Sequence, residues 1–380
     1  QCQLILERNE DINDINSYMH LETMRKYRYE DGNVICLTSK ANEHVLVVVY
    51  SKKENIELDT IQVDRNFRVQ LRAFYGECVS AFKYDNFAEA ESVTFSVIED
   101  SADGLLGDFT EVLKDEVHRY PLLTIGMVIP VYAYQHVIEF KVVDFEPESV
   151  NSVYVKNSSV VKVVDFVERE DSPCYNSLSY DDFGGFKEQI LKLEKAIQSQ
   201  LKPLSFQSAQ MPKSILILAP CGYGKTFLSK IIQNETSANF YYVPGMGVLG
   251  LKNSDAIDYL NHIIQQSQEN IPSILFIDDI DILNLNEKNH SVIDDYLNHK
   301  RVSQTIFIAT SKTKENIPIS LFDEILSFEN PTETDKLLIL QSITRKYYVP
   351  HPNTIPEMSS KYSDLPPSQL AINCLDIFLK

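Results

Sequence analysis

Two short stretches carry residue types whose spacing suits chemistry on a phosphate. The first is Ala219-Pro220-Cys221-Gly222-Tyr223-Gly224-Lys225-Thr226, preceded by the aliphatic run Ser214–Leu218 and followed by an amphipathic pattern through Asn234. Strand, glycine-rich loop and helix in that order predict a phosphate cradle. Pro220, Cys221, Gly222, Tyr223 and Gly224 supply the loop, whose N–H groups and following helix N-terminus favour an anion. Lys225 is placed to reach the outer phosphates and the Thr226 hydroxyl to hold Mg²⁺. Ala219 replaces the first glycine of the pattern, a modest change if its backbone keeps a negative φ. The second stretch lies 52 residues after Thr226: the apolar run Ser273–Ile277 ends in Asp278-Asp279, with Asp281 beyond. A buried parallel strand delivers a carboxylate where α/β sheets bind ligands, and Asp278 is expected to hold Mg²⁺ through water. The bland alternatives are an ordinary surface lysine and an acidic turn after a core strand.

The elements that must position these residues are legible in outline. From Ser177 onward, apolar runs alternate with amphipathic helical patterns, which predicts an α/β domain with a parallel sheet. Asn330, Pro331 and Glu333 read as a helix start with Asn330 as cap, and a last helix follows Pro366-Pro367-Ser368. Together these helices form a small lid. The first 165 residues are β-rich, with runs at Val34–Leu37, Val45–Tyr50, Val93–Ile98, Met127–Tyr134 and Val137–Phe145. Turn residues such as Asp31-Gly32-Asn33 and Asp103-Gly104 punctuate them, which predicts barrels or a sandwich. The charged stretch Asp85–Glu91 is expected to divide this half, and Glu168–Pro173 to link it to the α/β half.

Composition narrows the function classes. The 380 residues suffice for two or three cores, and 44% hydrophobic with 23% charged residues is ordinary for a globular chain. A net charge of −19 argues against nucleic acid, whose phosphates call for a basic surface. Six scattered cysteines with no Cys-x-x-Cys pair fit a reducing cytoplasmic or nuclear compartment, neither a disulfide scaffold nor a zinc site. No apolar run approaches the roughly 20 residues that span a bilayer. The first residue is Gln, compatible with a trimmed leader.

Ser179-Tyr180-Asp181-Asp182-Phe183-Gly184-Gly185 resembles the motif upstream of the phosphate loop in the first ATPase module of valosin-containing protein and its relatives, within the AAA ATPases. Glu139-Phe140-Lys141-Val142-Val143-Asp144, Asp103–Asp108 and Asn234-Glu235-Thr236 are similar to further stretches of that family. The resemblance implies a double-psi barrel over 1–90, a small four-stranded barrel over 91–167, a linker at 168–178, a large α/β subdomain over 179–330 and a helical lid over 331–380. It implies ATP or ADP with Mg²⁺ as ligands, with Asp182 and Gly184 framing the adenine. It also implies protein partners with ubiquitin-like folds or short motifs, docked between the two barrels, and work in protein quality control in the cytoplasm or nucleus. Relatives carry a second ATPase module, so the chain reads as a fragment or a shortened paralogue.

The departures from that family fall on hydrolysis. The residue expected to polarise water is Asp279 instead of glutamate, one methylene short, and an error of about 1 Å can cost ~10²-fold. The residue expected to hold that water is Ser311 instead of asparagine. No arginine occurs from Val302 to Thr344, although the family's inter-subunit fingers belong near Leu321-Phe322-Asp323. Such a finger is worth about 10³ to 10⁵ in rate. The lid histidine becomes Ile343 or Thr344, the small lid segment becomes Leu365-Pro366-Pro367-Ser368, and the pore segment Gly247–Leu251 lacks a gripping aromatic. The first expectation is therefore a nucleotide-binding protein impaired in hydrolysis. A working ATPase that remodels ubiquitin-linked substrates and an interaction protein with a vestigial loop are the alternatives. Hexamer, mixed ring and monomer all stay open.

Overall fold

The computed structural model describes residues 2–9, 14–52, 56–102, 109–133, 136–169, 172–175, 178–202, 212–283, 287–299, 305–315, 317, 319–344 and 366–378. They fall into two compact units that divide between 177 and 178. Among the described residues no helix is long and apolar enough to cross a membrane.

The first unit opens with β1 (Cys2–Arg8), β2 (Ser17–His20), α1 (Leu21–Tyr27), β3 (Asn33–Thr38), β4 (His44–Lys52), β5 (Thr60–Val63), α2 (Arg65–Gln70) and β6 (Cys78–Lys83). Its strands close into a six-stranded barrel in the order β1-β5-β2-β4-β3-β6. Period-two alternation turns Leu4 and Leu6, Ile35 and Leu37, Val47 and Val49, and Ile61 and Val63 into one core. On the opposite face of β3 and β4, Val34, Cys36 and Leu46 pack with Leu122. Both faces are covered, so these strands read as unbroken apolar runs.

The expected divide at Asp85–Glu91 holds a short strand of its own, β7 (Phe87–Glu89). It is followed by β8 (Ser92–Ile98), α3 (Thr110–Val117), β9 (Val128–Ala133), β10 (His136–Glu146), β11 (Ser152–Tyr154) and β12 (Val160–Val167). Here the structure corrects the expectation of a second barrel: the strands form a four-stranded sheet in the order β12-β8-β10-β9. β7 pairs in parallel with β11, so the chain is stitched across the expected divide. Asp103–Asp108 lies outside the described residues, as do Tyr134, Glu170, Asp171 and Leu365.

The segment after β12 is not a free linker. Arg169 donates to Asp100 at 2.5 and 2.6 Å, to Glu139 Oε2 at 2.6 Å and to the Pro173 carbonyl at 2.7 Å. Tyr175 is buried; its N–H donates to Glu139 Oε1 at 3.0 Å, and its hydroxyl takes a 2.7 Å bond from Gln70. Glu139 has no exposure, and burial raises its carboxyl pKa while Arg169 opposes the rise.

The second unit contains α4 (Lys187–Leu201), β13 (Ser214–Leu218), α5 (Lys225–Asn234), β14 (Asn239–Pro244), α6 (Gly245–Leu249), α7 (Asn253–Glu269), β15 (Ser273–Asp278), α8 (Ile280–Leu283), α9 (Glu287–His299), β16 (Thr305–Ser311), β17 (Glu324–Ser327), α10 (Glu333–Thr344) and α11 (Pro367–Phe378). A parallel five-stranded sheet runs β14-β15-β16-β13-β17. Ile215, Ile217, Ile274 and Phe276 pack on one face against Leu193 of α4 and Ile231 of α5. Leu216, Leu275, Ile277 and Phe307 face Leu260 of α7 and Ile293 of α9 on the other. Leaving β13 the chain crosses to the far edge, and leaving β16 it returns to the other side of β13. The carboxyl ends of β13, β15 and β16 thus lie at the switch point where α/β sheets bind ligands.

The cap of α10 is Thr332, not Asn330. Thr332 N–H and Oγ1 donate to Asp335 Oδ2 at 3.0 and 2.6 Å, and Asp335 N–H returns to Thr332 Oγ1 at 3.1 Å. Asn330 instead accepts the Tyr223 hydroxyl at 3.2 Å.

The clasp in the first unit has a measurable consequence. Arg169→Met leaves the Glu139 carboxylate buried without its cation, a change that costs about 3–5 kcal/mol. Chemical denaturation followed on the first unit should show a loss of that size.

Candidate functional site

The loop after β13 is fixed at its base by Ala219, whose N–H donates to the Ser311 carbonyl on β16 at 3.0 Å. Ala219 is not among the residues with positive φ, so alanine suits the position. Gly222 and Gly224 adopt the left-handed conformation with φ of 83° and 82°, where a side chain is strained. At Gly222 a Cβ would also stand 2.5 Å from Ser368 Oγ. This turn aims successive N–H groups inward, and no side chain caps α5, so its N-terminal donors and positive potential are left for an anion.

Lys225 begins α5. Its Nζ donates to the carbonyls of Ala219 at 3.0 Å and Pro220 at 3.3 Å and lies 3.8 Å from Asp279 Oδ1. The ammonium is held over the loop by backbone carbonyls and one carboxylate, all of which a phosphate can replace. Cys221, beside it, is exposed.

Asp278, at the end of β15, is 4% exposed and accepts three hydroxyls from three elements. Thr226 Oγ1 of α5 donates to Oδ2 at 2.6 Å, Tyr242 of β14 donates to the same oxygen at 3.0 Å, and Thr310 of β16 donates to Oδ1 at 2.6 Å. Thr226 spends its proton on Asp278, leaving oxygen lone pairs for a hard cation such as Mg²⁺. Among the described residues no group of three or more His, Cys, Asp or Glu gathers as a metal cage. A hydroxyl beside one carboxylate suits a cation that takes its other ligands from phosphate and water.

Asp279 has a φ of 53°, in the left-handed region that glycine adopts freely and that asparagine and aspartate visit only as single residues. Its N–H donates to Thr310 Oγ1 at 2.9 Å, so Thr310 clamps both acids of the pair. Gly245 presses from the other side: a Cβ there would lie 2.5 Å from the Asp279 carbonyl oxygen and 2.7 Å from that of Asp278. Burial first, and the charge of Asp278 second, push the Asp279 carboxyl above its usual range, while Lys225 lowers it.

Ser311 does not meet the acids. It is fully buried, and its hydroxyl donates to the Thr313 carbonyl at 2.6 Å and accepts the Thr313 N–H at 3.2 Å. Thr310, one residue earlier on β16, is the residue that meets both acids. Tyr242 and Gly245 were missed as well. Their link to Asp278 depends on β14 lying beside β15, which no local motif announces.

The upstream motif serves as a bracket between the loop and the lid. Asp182 Oδ2 accepts the Ser179 N–H at 2.8 Å and its hydroxyl at 3.2 Å, closing a capping box on one turn of helix. Gly184 has a φ of 63°, and a Cβ on it would stand 2.7 Å from Ile339 Cα and 2.6 Å from Ser342 Oγ of α10. Phe186 N–H donates to Asp335 Oδ1 at 2.7 Å. Phe183 stacks on Phe227 of α5 at 6.4 Å between centroids and borders Gly224. The start of α11 also reaches the loop, where Ser368 N–H donates to the Gly222 carbonyl at 3.0 Å. Ile343 packs against the core of this unit, and the Thr344 side chain lies outside the described residues. In the segment expected to line a pore, Leu249 and Leu251 are exposed, as is Met246 just before it.

Residues 215–330 match the family model described as ATPase family associated with various cellular activities (AAA). The match starts at the second residue of β13 and ends before α10, so it covers the sheet that carries Lys225, Thr226, Asp278 and Asp279. An AAA ATPase domain is present in the chain, and such domains generally bind ATP or ADP with Mg²⁺.

The raised Asp279 pKa carries a sign. A carboxyl raised in the folded state contributes stability that is complete below about pH 4, its ordinary pKa, and is lost as pH rises through the higher folded value. Asp279→Asn removes that loss and suits the left-handed backbone at least as well. The variant should melt above wild type at pH 7 to 8 and lose the advantage at about pH 4 and below, in calorimetric scans across that range.

Proposed function

We propose that this protein is a relative of valosin-containing protein that binds ATP or ADP with Mg²⁺ and hydrolyses it slowly or not at all. One contrast carries the reading. The groups that bind nucleotide, namely the loop at 220–224, Lys225, Thr226 and Asp278, are assembled within hydrogen-bonding reach of one another. Those needed for turnover are not assembled in the same way. Asp279 lies beside Lys225 at 3.8 Å, the Ser311 hydroxyl is spent on Thr313, and no arginine lies between Val302 and Thr344. Asp182 and Gly184 are read as the adenine side of the site through their backbone, since the Asp182 carboxylate is occupied by Ser179.

In this reading the six-stranded barrel is a double-psi barrel, and the sheet of β8, β9, β10 and β12 belongs to the second N-terminal subdomain. Together they recruit protein partners with ubiquitin-like folds or short motifs, in quality control in the cytoplasm or nucleus. The nucleotide acts as a staple: a ligand at a thousandfold excess over its Kd stabilises the folded state by about 4 kcal/mol. A chain without the finger arginine has lost one reason to form a ring, so it acts as a monomer or as one subunit of a mixed ring.

Nucleotide titration beside a phosphate-release assay tests this on the whole chain. The expected result is stoichiometric binding of Mg·ATP, abolished by Lys225→Ala, with phosphate release no faster than that variant. Release that Lys225→Ala abolishes would replace this reading with a working ATPase. No binding at millimolar nucleotide would leave a vestigial loop. Recovery of hydrolysis in Asp279→Glu would identify the short carboxylate as the limiting group, and no recovery would point to the missing arginine.

A further inference from the structure

We propose that Tyr242 sets the magnesium dependence of nucleotide binding: its hydroxyl takes up acceptor capacity of Asp278 that metal-bound water would otherwise use, so the site holds nucleotide almost as well without Mg²⁺ as with it. The inference rests on the nucleotide-binding reading above.

A carboxylate offers about four lone-pair positions, two on each oxygen. On Asp278 three of them are filled by protein hydroxyls, and Oδ2 receives both Thr226 at 2.6 Å and Tyr242 at 3.0 Å. The Thr226 bond survives metal binding, because the hydroxyl can give its proton to Asp278 while its oxygen faces a cation. The Tyr242 bond has no such dual use. A phenol that donates to Oδ2 competes directly with any water that a cation would present to the same oxygen.

Tyr242 is directed at Asp278 by its neighbour on β15. On the edge strand β14 it pairs in register with Phe276 of β15, and its ring stacks on Phe276 at 6.1 Å and 22°. That stack runs the phenol along the strand direction toward Asp278, two residues past Phe276. On the edge strand Tyr242 is 38% exposed, while the Asp278 it bonds is 4% exposed.

Tyr242→Phe removes the hydroxyl and keeps the ring on Phe276. Calorimetric titration of both proteins with ADP, once with Mg²⁺ in excess and once with EDTA, gives the ratio of affinities. For wild type Mg²⁺ should strengthen binding by about threefold or less, and for Tyr242→Phe by about tenfold more than that, the worth of one hydrogen bond to a charged group. A ratio unchanged by the substitution, or a wild type that binds ADP only with Mg²⁺, overturns the inference and leaves the nucleotide reading standing. Failure of wild type to bind ADP under either condition overturns both. A purely structural tyrosine would move both affinities together and leave the ratio where it was.

Discussion

The second unit is organised around one buried carboxylate. Asp278 has almost no solvent, and an anion there is tolerable only because hydroxyls from α5, β14 and β16 converge on it. Those three bonds tie the helix that follows the phosphate loop to three neighbouring strands of the sheet. Removing one partner leaves the charge under-solvated, which is costlier than the bond itself. The geometry of the loop is thereby coupled to the packing of the whole parallel sheet.

The same knot explains the state of Asp279. Thr310 fixes Asp278 through its proton and Asp279 through its lone pair, and the Gly245 backbone comes so close that a Cβ there would collide with both carbonyls. The chain passes through a left-handed residue at the point where a catalytic acid is expected. Such strain persists only where the surroundings over-determine it. The side chain that emerges is short, partly buried, and lies 3.8 Å from Lys225.

What was legible in the sequence was what neighbours in the sequence decide. The loop and its helix follow from glycines at fixed offsets, and the buried strands from short aliphatic runs. The long-range choices were hidden. Ser311 and Thr310 are adjacent hydroxyl residues, and strand alternation sends them to opposite sides, so a one-residue error of register exchanges their roles. Thr332 displaced Asn330 as the cap because Asp335, not Glu333, returns the bond, and both patterns fit the local text. Arg169 stood in a charged, proline-broken stretch with every mark of a linker. Only its contact with Glu139, 30 residues earlier, reveals a clasp. Tyr242 looked like one more aromatic in an edge strand until its neighbour was known.

The helical lid, α10 and α11, meets this site through close backbone approaches. Three contacts bring it to the loop and the upstream motif: Gly184 against α10, Phe186 on Asp335, and Ser368 on Gly222. Two of these positions are glycines in a left-handed conformation where a side chain would collide with the lid, so each close approach is built into the backbone. A lid that touches the phosphate loop through backbone atoms responds to whatever occupies the loop. A rearrangement of the loop around phosphate would move the Gly222 carbonyl that receives Ser368, and with it the contact to α11. Chemistry is not needed for that coupling, because a bound ligand shifts a conformational balance by its differential affinity alone. Occupancy of the loop, without any chemical step, is therefore enough to act on the lid.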